Sequence, residues 1–203
     1  MLERLPPLSM SENRDSFFKR IARLFPTLSP QYQAIEKAYK AAKDAFHDDV
    51  REDGVRYFEH LRGVALILLY LRVSDHELII AALLHDILED HPELWPLERI
   101  RKEFGERVAL LVEYLTKPPE SEYSTKEERD HVYHCRFCIA PREFFLIKLA
   151  DRLHNILTLA ACTPEKRRRK IEETWRYYMP FAEENFILYY ELEEALMRAE
   201  QMQ

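Results

Sequence analysis

Glycine is scarce in this sequence, with three in 203 residues. So few residues free to adopt left-handed backbone leave little room for tight hairpins or glycine-rich phosphate loops, and a sheet-rich fold is not expected. Long apolar runs are missing too. The longest, Val64 to Leu71, falls far short of a membrane span, and the lead MLERLPPLSM has no apolar core of signal-peptide length. Three cysteines, an odd number, make no disulfide framework and agree with a reducing compartment. A soluble, cytoplasmic protein is expected, with no membrane partner. A basic surplus is also lacking: 30 Lys and Arg against 36 Asp and Glu give a formal charge of −6, which argues against nucleic-acid binding. An anionic ligand would need a local basic pocket instead. No GxSxG and no glycine-rich phosphate loop occurs, which removes the usual serine-hydrolase and kinase readings.

What is present is helical pattern. Hydrophobic residues make up 47% of the chain and charged residues 33%, enough for one well-filled core. Apolar spacing predicts helices over Ser11–Leu24, Gln31–Phe46, Tyr57–Leu71, Leu78–Asp90, Leu97–Leu115, Asp130–Ile139 and Arg142–Leu159. A long final helix from Pro164 to about residue 200 is expected to be interrupted near Pro180. The charged DDVREDG ending in Gly54 reads as a loop, and Glu120–Arg129 as a loop or helix start. Ser74 or Asp75 is the expected N-cap of the Leu78 helix. No strand pattern emerges, so the expected class is all-α.

The stretch LIIAALLHDILED, Leu78 to Asp90, is apolar until its end. At about 100° per residue, His85, Asp86, Glu89 and Asp90 fall within an arc of about 140°, with Leu84, Ile87 and Leu88 opposite. Burying an imidazole with three carboxylates is costly unless a cation neutralises them. The alternative is a helix end emerging into solvent ahead of His91-Pro92.

In KLADRLHN, Lys148, Asp151 and Asn155 share a second helix face, leaving Leu149, Ala150 and Leu153 for the core. A buried Lys148–Asp151 ion pair accounts for this face equally well. His60 lies on the central helix, three residues beyond Tyr57, where a lone histidine is more often a hydrogen-bonded core residue. Taken together, His60, His85, Asp86 and Asp151 offer two imidazoles and two carboxylates, a donor set suited to manganese, iron or zinc and poorly suited to calcium.

Arg51, Gly54 and Tyr57 with His60, then HDILED (His85 to Asp90), then LADRLHN (Leu149 to Asn155) resemble, in order and spacing, the HD-domain hydrolase region of the RelA/SpoT family, including its short metazoan homologues. The similarity continues through FGERVALLVEYLTK and CTPEKRRRKIEETWRYYMPFA and covers about residues 33 to 197. The resemblance implies an all-α HD-domain bundle around a mononuclear metal site, occupying 31–203 after an N-terminal extension, 1–30, with a short helix. It implies one Mn²⁺, or another divalent transition metal, ligated by His60, His85, Asp86 and Asp151. Glu89 and Asp90 match the acidic pair that works on the attacking water, Arg51 the arginine packing on the base, and Asn155 the asparagine facing sugar and phosphates; Lys148 would neutralise a phosphate oxygen. The implied reaction removes the 3′-pyrophosphate from guanosine tetra- or pentaphosphate. The synthetase and regulatory domains of bifunctional relatives have no room in this chain.

Three positions depart from the family pattern. Arg56 replaces a usual proline, Leu157 a common arginine, and His47 is displaced by one residue. None is a proposed ligand, but all alter the substrate's surroundings. Phosphate removal from another nucleotide such as NADPH, and a silent nucleotide-binding regulatory module, are therefore the alternative readings. Cys135 and Cys138, with His131 and His134 nearby, lack a second ligand pair for structural zinc and read as small buried residues. At most two of Lys166–Lys170 can face one pocket; the family reading permits Lys166 or Arg169. Trp175, Tyr177, Tyr178 and Phe181 read as packing, with Trp175 the one expected nearest the pocket.

Overall fold

The computed structural model describes residues 12–201; residues 1–11, which hold the whole MLERLPPLSM lead and Ser11, and residues 202–203 lie outside the described residues. Among the described residues the regular structure is helical, and one isolated β-bridge, Val50 to Arg56, closes the loop that carries Arg51. No described helix is long and apolar enough to cross a membrane.

Helix α1 (Arg14–Ile21) starts at Asn13, whose side chain and that of Ser16 cap each other's backbone reciprocally. Helix α2 (Pro30–Ala45) is capped by Ser29, with proline in its first turn where a missing N–H costs nothing. Phe17, Phe18 and Ile21 of α1 belong to the same core as Ile35 and Tyr39 of α2 and Phe58 and Leu61 of the next helix. That next helix, α3 (Tyr57–Tyr70), is buried nearly all round from Phe58 to Leu68. It packs against α4 (His76–Leu84) and α9 (Arg142–Leu157), while α2 covers α4 and α12 (Tyr189–Glu200) covers α9. Gly63 is the close-approach point of α3 and α9: a Cβ there would lie 2.2 Å from His154 Nε2. Fully burying each leucine or isoleucine of this centre contributes roughly 1.5–3 kcal/mol.

Two helices expected as continuous are divided. The Leu78–Asp90 segment ends as α4 at Leu84 and resumes as α5 (Ile87–Asp90) after a turn at His85-Asp86. His85 Nδ1 donates to Ala82 O at 2.9 Å, taking the carbonyl that the Asp86 N–H would use in an uninterrupted helix. Asp75 is the N-cap of α4, accepting from the Glu77 N–H. The Leu97–Leu115 segment splits into α6 (Leu97–Phe104) and α7 (Glu106–Leu115) at Gly105, whose φ of +96° suits glycine. Helix α8 (Lys126–Cys135) begins earlier than expected because Thr125 caps it, and a 3₁₀ turn continues it to Ile139.

The last segment divides into α10 (Pro164–Glu173), a π turn at Thr174–Tyr178, α11 (Met179–Asn185) and α12. Pro180 does not interrupt it. The wider π turn precedes the proline and accommodates a residue that can neither donate nor tolerate the carbonyl one α-turn back. The chain reverses instead at Phe186 and Leu188, both with φ of +54°.

Candidate metal centre

Three helices converge on one point. His60 comes from the first turn of α3, His85 and Asp86 from the turn between α4 and α5, and Asp151 from the middle of α9. Donor atoms of His60, His85 and Asp86 all lie within 4.8 Å of one another. Asp86 Oδ2 is 3.1 Å from His85 Nε2 and 3.8 Å from His60 Nε2, while Asp151 Oδ1 is 3.3 Å from His60 Nε2 and 3.8 Å from His85 Nε2.

The protonation pattern tests whether a cation fits. Because His85 donates through Nδ1 to a carbonyl, its neutral form turns a lone pair at Nε2 toward two carboxylate oxygens. That buried Nε2 has no hydrogen-bond partner. A proton or a metal ion resolves the repulsion. Desolvation opposes the charge, yet Asp86 and Asp151 push His85 up to about 10. Ligand atoms about 2.1 Å from a shared cation stand roughly 3.0–3.4 Å apart at right or tetrahedral angles, near the spacing seen for the closest pairs. The donor set and its geometry fit a divalent metal.

Neighbours fix these donors. Tyr57 donates its hydroxyl to Asp86 Oδ2 at 2.7 Å. Asn155 Nδ2 donates to Asp151 Oδ1 at 2.6 Å, and Lys148 Nζ lies 3.1 Å from Asp151 Oδ2. The Lys148–Asp151 pair read as an alternative from spacing is thus present. Burial would raise the Asp151 carboxyl, but Lys148 and then the two histidines hold it well below the usual range. Arg51 donates to Asn155 Oδ1 at 2.8 Å and Thr158 Oγ1 at 3.3 Å, joining the charged loop to α9.

A cavity of about 390 Å³ opens onto this cluster. Six cations line it (Arg51, Lys117, Lys148, Arg152, Lys166 and Lys170) against four carboxylates, so the local balance is basic although the chain is acidic overall. Glu89 also lines it, its Oε2 accepting the Lys117 N–H at 3.0 Å. Asp90 is not among the lining residues; partial desolvation, then the charges of Asp86 and Glu89, push its carboxyl up to about 7.

Several cavity residues carried no role in the sequence reading. Tyr57 stands one helical turn before His60, a spacing that signals a shared face. Lys170 is one turn beyond Lys166, and these are the two of the basic run on this cavity. Arg152 is buried by a bidentate pair with Glu173, 21 residues away, which no local spacing reveals. Two expectations are corrected. Cys135 and Cys138 are exposed rather than buried, because the end of α8 and the 3₁₀ turn after it face them away from the core, and Tyr178, not the exposed Trp175, reaches the cavity. Trp175 instead donates to Glu200 at the surface.

Comparison with known proteins identifies the family to which this chain belongs. The HD domain family model matches residues 38–185. The bifunctional (p)ppGpp synthase/hydrolase SpoT of Escherichia coli K12 is 36% identical over 170 residues, covering 81% of this chain and 24% of that protein. A guanosine-3′,5′-bis(diphosphate) 3′-pyrophosphohydrolase of Aquifex aeolicus is 40% identical over 154 residues, covering 75% of this chain and 22% of that protein. The chain thus spans about a quarter of the length of these relatives. A solved structure of a metazoan SpoT ortholog, described as hydrolysing ppGpp, superposes with a TM-score of 0.74 at 25% identity, covering 86% of this chain and 97% of that one. With the family match extending from α2 to the end of α11, this chain belongs to the HD-domain family.

Proposed function

We propose that the protein is a metal-dependent 3′-pyrophosphohydrolase of guanosine 3′,5′-bis(diphosphate)-type alarmones, using one Mn²⁺ held by His60, His85, Asp86 and Asp151. The observation that carries this reading is the cavity with six cations abutting a four-residue donor cluster. A divalent cation there supplies Lewis acidity and a nucleophile at neutral pH.

The remaining steps belong to side chains. The Glu89 carboxyl pKa is raised by partial desolvation and then by the charge of Asp86, the direction that suits a general base. Its bond from the Lys117 N–H fixes its direction. Asp90 assists from beside it. Arg51 and Asn155, already joined, form a ready edge for the base and sugar, and preorganisation of this kind cuts the cost of ordering a ligand. Lys148, Lys117, Lys166 and Lys170 offset phosphate charge.

Incubating the Mn²⁺-loaded protein with guanosine tetraphosphate, NADPH and common nucleotides, followed by product analysis, tests this reading. Pyrophosphate and GDP from the alarmone are expected. Phosphate released only from NADPH would make the protein a nucleotide phosphatase, and metal binding with no turnover would make it a silent regulatory module.

A further inference from the structure

A second cavity, of about 340 Å³, opens beside the first and shares Glu89, Lys117 and Lys170 with it as a common wall. The rest of its lining comes from α8, α10 and the π turn. Two of its inner acids are already paired. Asp130 lies 3.2 Å from Lys117 Nζ and 3.1 Å from Arg129, and Glu173 is held by Arg152 at 3.1 Å and Lys170 at 3.4 Å. Glu127 and Glu172 stand at the exposed rim. Arg169 and Arg176 line the cavity and hold no ion pair among the described residues.

A buried polar side chain also faces this space. His134 is 6% exposed, stacks on Tyr177 with centroids 4.1 Å apart, and has no hydrogen-bond partner at either ring nitrogen. The nearest ion-pair atom is Glu173 Oε1 at 3.6 Å. On the shared wall, burial and then the nearby charges of Arg152 and Lys117 lower the Lys170 ammonium to about 8. Crowded cations, a histidine with no hydrogen-bond partner and two guanidinium groups without an ion pair, that of Arg176 stacked over Tyr177 at 5.0 Å, make a setting for a small polyanion.

We infer that the second cavity is a diphosphate site that receives the diphosphate product as it passes Glu89, Lys117 and Lys170. This rests on the proposed hydrolysis. There, water oxygen forms a bond to the phosphorus carried by the 3′ oxygen, and the bond from that phosphorus to the 3′ oxygen breaks. One water proton ends on the 3′ oxygen and the other passes through Glu89 to solvent. The nucleoside half stays with Arg51 and Asn155, while the diphosphate half moves toward Arg169 and Arg176.

The test is calorimetric titration of the metal-loaded protein with inorganic diphosphate, comparing wild type with an Arg169→Gln/Arg176→Gln double variant. Both side chains are exposed, and circular dichroism checks that the helices are retained. The expected result is at least tenfold weaker diphosphate binding, partly recovered when position 169 is Arg169→Lys, with GDP affinity unchanged. Diphosphate affinity equal to wild type overturns the inference. A protein that turns over no alarmone yet loses diphosphate affinity in the double variant refutes the functional reading and keeps this site; turnover with unmoved diphosphate affinity does the reverse.

Discussion

His60 and His154 meet through their Nδ1 atoms at 3.0 Å. One ring must donate and the other accept, so both cannot be protonated, and desolvation lowers the pKa of each. With His60 donating, its Nε2 lone pair turns toward Asp151 and the metal position. His154 is therefore the outer partner that sets the tautomer of His60, a proposed ligand. His154→Ala should lower metal affinity by about 10–100-fold while the helices persist. Titration with Mn²⁺ checks this, and wild-type affinity would count against the role.

The far edge of the same His154 ring lies against Gly63. A methyl there would meet the His154 ring at 2.2 Å, inside the packed α3–α9 interface. Overpacking of this kind costs about 1–3 kcal/mol. Gly63→Ala should lower the unfolding free energy measured by urea titration by that amount and weaken metal binding as His154 is displaced. A variant as stable as wild type would show that the helices part without penalty.

Arg51 reaches across 104 residues to bond Asn155. Removing it takes away a charge-assisted contact worth about 1.5–3 kcal/mol. Arg51→Ala should raise KM for the alarmone roughly tenfold or more with metal content unchanged. Steady-state kinetics and metal analysis separate the two, and loss of metal instead would make Arg51 a support of the metal centre.

Glu89 and Asp90 both have raised carboxyl pKa values, by partial desolvation first and then by neighbouring carboxylates, with Asp90 at about 7. A raised pKa keeps the protonated form to higher pH, so a base is lost as pH falls. A cation against Asp86 removes part of the repulsion. The acid limb of kcat/KM should therefore have its midpoint between about 4 and about 7. A pH–rate profile with no acid limb between about pH 3 and 8 would contradict a carboxylate base.

Helix positions were legible where side-chain periodicity matched burial, as in α3 and α9. The breaks were not. Ile100, Phe104, Val108, Leu111 and Leu115 keep helical spacing across Gly105, so periodicity alone gives no sign of its φ of +96°. The turn at His85-Asp86 depends on one ring nitrogen taking the Ala82 carbonyl, a choice of side-chain geometry rather than pattern. It also explains why a helical arc joined Glu89 and Asp90 on one face, whereas only Glu89 lines the cavity: α5 begins anew after the turn. His60, His85, Asp86 and Asp151 stood out because their motifs are local and ordered. Lys117 and Arg152 did not, because their partners, Glu89 and Glu173, are distant in sequence.

The central claim is a division of labour, with Asp86 holding metal and Glu89 acting on water. Metal content and alarmone turnover measured together in wild type, Asp86→Ala and Glu89→Ala test it directly. Asp86→Ala should lose both, and Glu89→Ala should keep its metal while turnover falls by about 10²-fold or more. Equal metal loss in the two variants, or turnover surviving in Glu89→Ala, would contradict it.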